Sequence, residues 1–462
     1  MPSVTSLVHA ALIQQIKQHS HCNIIIAYSG GVDSQVLLHA IAQLKKHQLN
    51  NNVTVCHVNH GLSVNAGQWQ SLAEKECEKL SLNLVVKKVT IEVRAQQSLE
   101  AIARQLRYSA LEKLSEKPAI ILTGHHRDDQ SETFLLALKR GGGVKGLSAM
   151  AEVSPLGKHL LVRPLLSISR QQIEQYAITN NLTWVEDESN SDVSFDRNFI
   201  RHEVMPLLSK RWPSISNAIN RSASHCSAGQ ELLDELATQD LQRIRTNDNG
   251  LSIEPLIRLS TARFNNLIRY FLAQNNCLMP STEQLHQVRT QLQVANDKTP
   301  MIKVADHYLR RFKGILYLTP DYKDISLWQA AIELPTVNLT VNLTVNLPDN
   351  LAKLNFNHQA KNSSKTVRVD ETSWQTYICL PRKDQTVTVR FNHENPSCKP
   401  DYRQHSRPVK KVLQELLIPP WQRKRIPFLY YDNELVAAIG YFVCQDFVAK
   451  SNQSSIQISW NR

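Results

Sequence analysis

Ile24-Ile25-Ile26-Ala27-Tyr28-Ser29-Gly30-Gly31-Val32-Asp33-Ser34 is an apolar run broken by a glycine pair. The spacing predicts a buried strand, a glycine turn and a helix that begins near Asp33. Two adjacent glycines permit positive φ and leave room for a ligand against the backbone. The unpaired amides of a helix start, with the Ser29 and Ser34 hydroxyls, form a cradle for a polyphosphate. The lysine of a Gly-Lys-Ser/Thr phosphate loop is absent, because Asp33 and Ser34 stand in its place. An aspartate beside a phosphate cradle repels the anion unless a divalent metal lies between them. That combination implies Mg-ATP held by its pyrophosphate and chemistry at the α-phosphate. An ordinary strand–turn–helix junction is the competing reading of the hexapeptide, so the remaining chain has to decide.

Around this loop, short β-branched runs alternate with helical periods from residue 20 to about 185. Strands are predicted at Ile24–Tyr28, Val53–Asn59, Leu84–Val89 and Ala119–Gly124, and helices at Gln35–His47, Ala66–Leu80 and Ser98–Ser115. This alternation indicates βαβ units and an α/β, doubly wound parallel sheet. Such sheets bind ligands at the carboxyl ends of their strands. The strand ends here are polar or glycine-rich, with Ser29, Asn59-His60-Gly61 and Gly124-His125-His126 converging on one crevice. Further helices are expected at 169–182 and 196–208. A boundary at Trp212-Pro213 gives residues 1–213 as the nucleotide-binding domain and 214–330 as a mainly helical middle domain. A connector follows at 331–375, with a small basic α+β domain at 376–462. The Val-Asn-Leu-Thr repeat between Pro335 and Pro348 alternates strictly and reads as an edge strand or a polar linker.

Each candidate site has a structural competitor. His57, Asn59, His60, Gly61 and Leu62 close the second strand; they could line a nucleotide base pocket or simply turn the chain outward. In Gly124-His125-His126-Arg127-Asp128-Asp129-Gln130-Ser131-Glu132-Thr133, Asp129 and Glu132 fall on one helical face at i, i+3. With His125 at the strand end they suit a magnesium ion or an ammonium substrate; acids that merely complement the helix dipole are the alternative. Gly141-Gly142-Gly143 reads as either a basic lid or a helix-ending turn. Arg197 opens a helix against its dipole and so requires an anion, either a phosphate or a local pair with Asp187 or Glu188.

A chain of 462 residues needs more than one core, and its formal charge of +12 favours a polyanionic partner. Its eight cysteines include no Cys-x-x-Cys pair, which argues against zinc ribbons, iron–sulfur sites and vicinal redox pairs. Scattered thiols, and an N-terminus with no basic or apolar leader pattern, fit a cytoplasmic protein with no membrane association. Between Arg382 and Ile426, eleven Lys/Arg face four Asp/Glu, interleaved with Tyr402 and Trp421. Basic and planar side chains together suit an RNA surface, whereas a charge run alone is an ordinary solvated face.

Taken together, Ser29–Ser34, His57–Leu62, Gly124–Thr133 and Asp187–Arg201, in this order, strongly resemble the tRNA(Ile)-lysidine synthetase family of the PP-loop ATP pyrophosphatase superfamily. Val409 through Trp421-Gln422-Arg423 to Pro427 and Gly440 is similar to that family's C-terminal domain. The resemblance covers 20–215 tightly and 376–445 well, and does not extend to the repeat. It implies ligation of L-lysine to C2 of the wobble cytidine of an isoleucine tRNA with a CAU anticodon, through an adenylated cytidine. It further implies that Ser29, Gly30, Gly31, Val32, Asp33 and Ser34 bind ATP, with Asp33 on Mg2+ and pyrophosphate. His125, Asp129 and Glu132 match the family's acidic motif, with Asp129 and Glu132 holding the lysine ammonium or the metal; Arg197 would stabilise the adenylate or the tRNA backbone. The competing readings are a PP-loop tRNA thiolase and a non-catalytic tRNA-binding adaptor. Whether the chain forms a homodimer is left open.

Overall fold

The computed structural model describes the chain except residues 1–2, 20–21, 48, 50, 62, 64, 91–98, 294–300, 334–341, 360–366, 369–372, 451–453 and 462. It divides into two compact units, residues 1–236 and 237–462. Helix Ile215–Ile244 begins in the first and ends in the second.

In the first unit, strands β1 (Asn23–Tyr28), β2 (Val53–Asn59), β3 (Asn83–Lys88), β4 (Ala119–Leu122), β5 (Val153–Leu156) and β6 (His159–Val162) form one sheet in the order β3-β2-β1-β4-β6-β5. All neighbours are parallel except the edge pair β5–β6. The helices are α1 (Val4–Lys17), α2 (Val32–His47), α3 (Ala66–Lys79), α4 (Leu99–Glu112), α5 (Arg127–Lys139), α6 (Val144–Leu147), α7 (Arg170–Thr179) and α8 (Asp196–Phe199). Strand alternation sorts the apolar run onto two faces. Ile24 and Ile26 join Val36, Leu37, Leu12 and Tyr176 on one side, while Ile25 joins Cys56, Ile121, Leu161 and Leu111 on the other. Both faces are covered, which is why β1 reads as continuously hydrophobic. The chain runs outward from β1 in both directions, to β2 and to β4, so the switch point of the sheet lies beside Ser29. The four predicted strands match β1–β4 closely, and the predicted helix start near Asp33 falls at Val32. The expected single helix at 196–208 is instead α8, a π-helical turn at Ile200–Val204 and a helix at Met205–Arg211.

The second unit includes helices Thr261–Gln274 and Thr282–Gln293. They pack Phe264, Leu267, Phe271 and Leu285 against a four-stranded antiparallel sheet that includes Met301–Val304, His307–Phe312 and Ile315–Pro320. Two five-stranded sheets follow. The described strand of the repeat, Asn342–Asn346, lies at the edge of its sheet and, among the described residues, pairs with Lys353–Gln359; residues 334–341 lie outside the described residues. Trp421 is not an open stacking platform. It is 8% exposed and packs edge-on to Phe312 and Tyr317, with the Arg310 guanidinium over its ring. A large ring between two basic stretches gains more by closing a core than by facing water. Tyr402, by contrast, is 54% exposed.

Candidate active site

The glycine turn is organised by its own serine. Ser34 Oγ accepts from the Ser29 amide at 3.2 Å and the Gly30 amide at 3.1 Å, and donates to the Gly31 carbonyl at 2.9 Å. Gly30 has φ +92°, a conformation that glycine adopts without strain. The first helical bond runs from the Gln35 amide to the Gly31 carbonyl, so the amides of Gly31, Val32, Asp33 and Ser34 precede the ladder and face outward as anion donors. At the end of β4, Gly124 abuts this turn: a Cβ there would lie 2.9 Å from the Asp33 carbonyl carbon and 3.1 Å from the Ser34 nitrogen. Strand end and loop can meet only because residue 124 has no side chain.

The acidic helix α5 starts at this junction. His126 caps it: its Nδ1 accepts the Asp128 amide at 3.2 Å, and the Asp129 carboxylate accepts the His126 amide at 3.0 Å. The cap leaves His126 Nε2 facing Asp33 Oδ1 at 3.6 Å and Asp129 Oδ2 at 3.5 Å. Burial opposes charge on this ring. In the protonated ring Nδ1 carries a hydrogen and faces the Asp128 carboxylate at 3.6 Å instead of accepting the amide; that hydrogen bond and the Asp129 and Asp33 carboxylates outweigh burial and raise His126 above the ordinary histidine value. His125 behaves in the opposite way. Burial pushes it down to about 3, and its Nδ1 shares a 2.9 Å hydrogen bond with the Thr123 hydroxyl. The imidazole that joins the loop to the acidic helix is therefore His126, one residue beyond the histidine singled out from sequence.

Three arginines hold the carboxylates. Arg170, at the start of α7, donates Nη1 to both Asp33 oxygens at 3.1 and 2.9 Å. Arg197 donates Nε to Glu132 at 2.8 Å and Nη2 to Asp129 at 2.9 Å. Arg201 donates to Glu132 Oε1 and Oε2 at 2.6 and 2.9 Å and to Asp129 at 3.2 Å. The anion that Arg197 requires is thus the acidic pair itself, not Asp187, which caps its own turn, nor Glu188, which accepts from Ser63 and Asn65. Burial pushes Asp33 up against the opposing pull of His126 and Arg170. For Asp129, burial is overcome by His126 and Arg197, and the carboxyl is held low. Arg170 and Arg201 were not singled out from the sequence. Each carried a readable signal: Arg170 opposes the dipole of a Ser169–Gln172 capping box, and Arg201 lies one turn beyond Arg197.

Other residues lie farther from this network. His57 is 3% exposed, with Nδ1 on the Tyr28 carbonyl. Asn59 Oδ1 accepts the Gly61 amide at 2.9 Å, so it shapes the turn at the end of β2. Both ring nitrogens of the neighbouring His60 are enclosed and have no hydrogen-bond partner among the described residues. Gly142 donates its amide to the Ala137 carbonyl at 2.8 Å, which makes the triple glycine a helix-ending turn. Of the thiols, Cys56 and Cys77 are packed in the sheet and α3 cores.

Comparison with known proteins agrees with this geometry. Residues 5–208 match the sequence model of the PP-loop domain, 251–317 that of the TilS substrate binding domain and 387–460 that of the TilS substrate C-terminal domain. The chain is 40% identical to the tRNA(Ile)-lysidine synthase of Serratia proteamaculans over 98% of each protein. Its identity to the Coxiella burnetii enzyme of the same name is 38%, over 94% of this chain and 92% of that one. A U34-tRNA thiolase from Methanococcus maripaludis overlays with a TM-score of 0.41 and 17% identity, covering 48% of this chain and 78% of that one; likeness at this level does not bear on the reaction. With a PP-loop crevice, two matched substrate domains and near full-length identity to enzymes of one name, the chain belongs to the tRNA(Ile)-lysidine synthase family.

Proposed function

We propose that this chain adenylates the C2 oxygen of the wobble cytidine in a CAU-anticodon isoleucine tRNA and then transfers L-lysine to that carbon in the same crevice. As a member of its family the chain is a ligase that forms a carbon–nitrogen bond. The observation that carries the one-crevice reading is the placement of His126 Nε2 between Asp33 of the nucleotide loop and Asp129 of the acidic helix, 3.6 and 3.5 Å away.

In the first step the cytidine O2 attacks the α-phosphorus of ATP and pyrophosphate leaves. The amides from Gly31 to Ser34 are suited to the pyrophosphate charge. Asp33 and Asp129 supply hard carboxylate oxygens of the kind Mg2+ takes beside that cradle, and a bound Mg2+ would replace contacts that Arg170, Arg197, Arg201 and His126 make with those oxygens. A bound Mg2+ would neutralise phosphate charge. Arg170, already on Asp33, pulls that carboxylate toward its ionised form against the burial that raises it. In the second step the lysine amine attacks C2, and AMP departs with the oxygen. Asp129 and Glu132 form an ammonium site whose charge is balanced by Arg197 and Arg201, so an incoming lysine must exchange with one guanidinium. Residues 1–213 would carry this chemistry, and the 214–330 segment and the basic 376–462 segment would grip the tRNA.

Pyrophosphate release and labelled-lysine incorporation, measured on the CAU transcript, test the assignment. ATP- and tRNA-dependent incorporation of lysine supports it. Sulfur incorporation, or tRNA binding without turnover, contradicts it.

A further inference from the structure

We propose that Cys277, Asp306 and His307 form a three-ligand zinc site in the second unit, separate from the ATP crevice. One ligand atom from each residue lies within 4.8 Å of the other two. Cys277 follows helix Thr261–Gln274, where its amide donates to the Leu272 carbonyl at 3.0 Å and its thiol lies 3.5 Å from the Asn275 carbonyl. Asp306 lies in the turn between strands Met301–Val304 and His307–Phe312, and His307 opens the second strand. Adjacent residues on a strand point apart, but this turn brings His307 Nδ1 and Asp306 Oδ1 to 2.8 Å of each other.

The donor set selects the metal. One thiolate, one imidazole and one carboxylate suit Zn2+, whereas Mg2+ and Ca2+ take oxygen shells. Zinc bonds of about 2.0–2.3 Å place tetrahedral ligand atoms roughly 3.3–3.6 Å apart, so the set closes when separations of up to 4.8 Å contract by about 1 Å and the 2.8 Å His307–Asp306 pair opens by roughly half an ångström. Thiolate and carboxylate together balance the ion's charge. The fourth position opens to solvent, since the side chains of Asp306 and His307 are 60% and 24% exposed while Cys277 is 6% exposed. The bound ion would fasten the end of one helix to a hairpin inside the segment matched by the substrate binding domain, 251–317. The Cys277 thiol proton is released to solvent when zinc binds, and no other bond breaks.

Cobalt titration of the full-length protein, stripped with a chelator, tests the site. One equivalent of Co2+ should produce a saturable thiolate-to-metal band in the near ultraviolet, and Zn2+ should abolish it. Cys277→Ser should remove the band. His307→Ala, a change at the half-buried first residue of a strand, should weaken binding at least about 10-fold while circular dichroism stays native. If the buried Cys277→Ser variant does not fold, His307→Ala alone decides. A missing band, a band retained in folded Cys277→Ser or unchanged affinity in His307→Ala overturns the proposal.

Discussion

Arg170 donates Nη1 to both carboxylate oxygens of Asp33, at 3.1 and 2.9 Å, and thereby ties the start of α7 to the nucleotide loop. The Arg170 amide also donates to Asp128 at 2.8 Å, so α7 grips α5 and the loop at once. An arginine that opposes its helix dipole is offset here by two carboxylates. Arg170→Met would leave Asp33 with His126 as its remaining close cation. We expect a loss of about 1 kcal/mol in stability, since the pair is partly exposed. The larger effect should be at least a 10-fold fall in pyrophosphate release; thermal melting and single-turnover assay separate the two.

Gly124→Ala tests the close approach of β4 to the loop. Its Cβ would sit 2.9 Å from Asp33 backbone carbon, and that contact cannot be relieved by rotating a side chain. Displacing the loop by a fraction of an ångström should cost about 100-fold in adenylation with the fold retained. Near-normal adenylation in this variant would show that the loop's position is not critical.

The two histidines should titrate in opposite directions. His126 is raised, so its stabilising charge is complete below the ordinary value of 6.5 and is lost as pH rises through its own higher value. His125, at about 3, is neutral in the fold, so stability falls as pH drops below 6.5 and the unfolded imidazole takes a proton. NMR titration of the imidazole resonances checks both signs, and His126→Gln should erase the higher one.

Trp421→Ala should act on stability rather than on RNA stacking. Removing a ring packed against Phe312 and Tyr317 should cost about 3–5 kcal/mol. Tyr402→Ala, at an exposed ring, should leave the melting point unchanged. Calorimetry on both variants distinguishes the roles.

The strands and the glycine loop were legible because burial on both faces makes β1, β2 and β4 nearly continuous apolar runs, and a helix start after two glycines is a local signal. The β5–β6 edge was not, because both strands have four residues and β5 contains Pro155. At the site, the i, i+3 spacing of Asp129 and Glu132 showed the acidic face, but not which histidine would turn inward. That depends on the cap that His126 makes with Asp128 and Asp129. The partners of Arg170 and Arg197 lie 137 and 65 residues away in sequence. A local reading could demand an anion for Arg197 without finding Glu132.

Single-turnover analysis of Glu132→Gln, with labelled lysine, ATP and the CAU transcript, bears most directly on a two-step crevice. We expect pyrophosphate release and an adenylated tRNA at close to the normal rate, with lysine incorporation reduced at least 100-fold and partly restored by raising lysine. Equal loss of both steps, or normal rates for both, would contradict the assignment of the acidic pair to lysine.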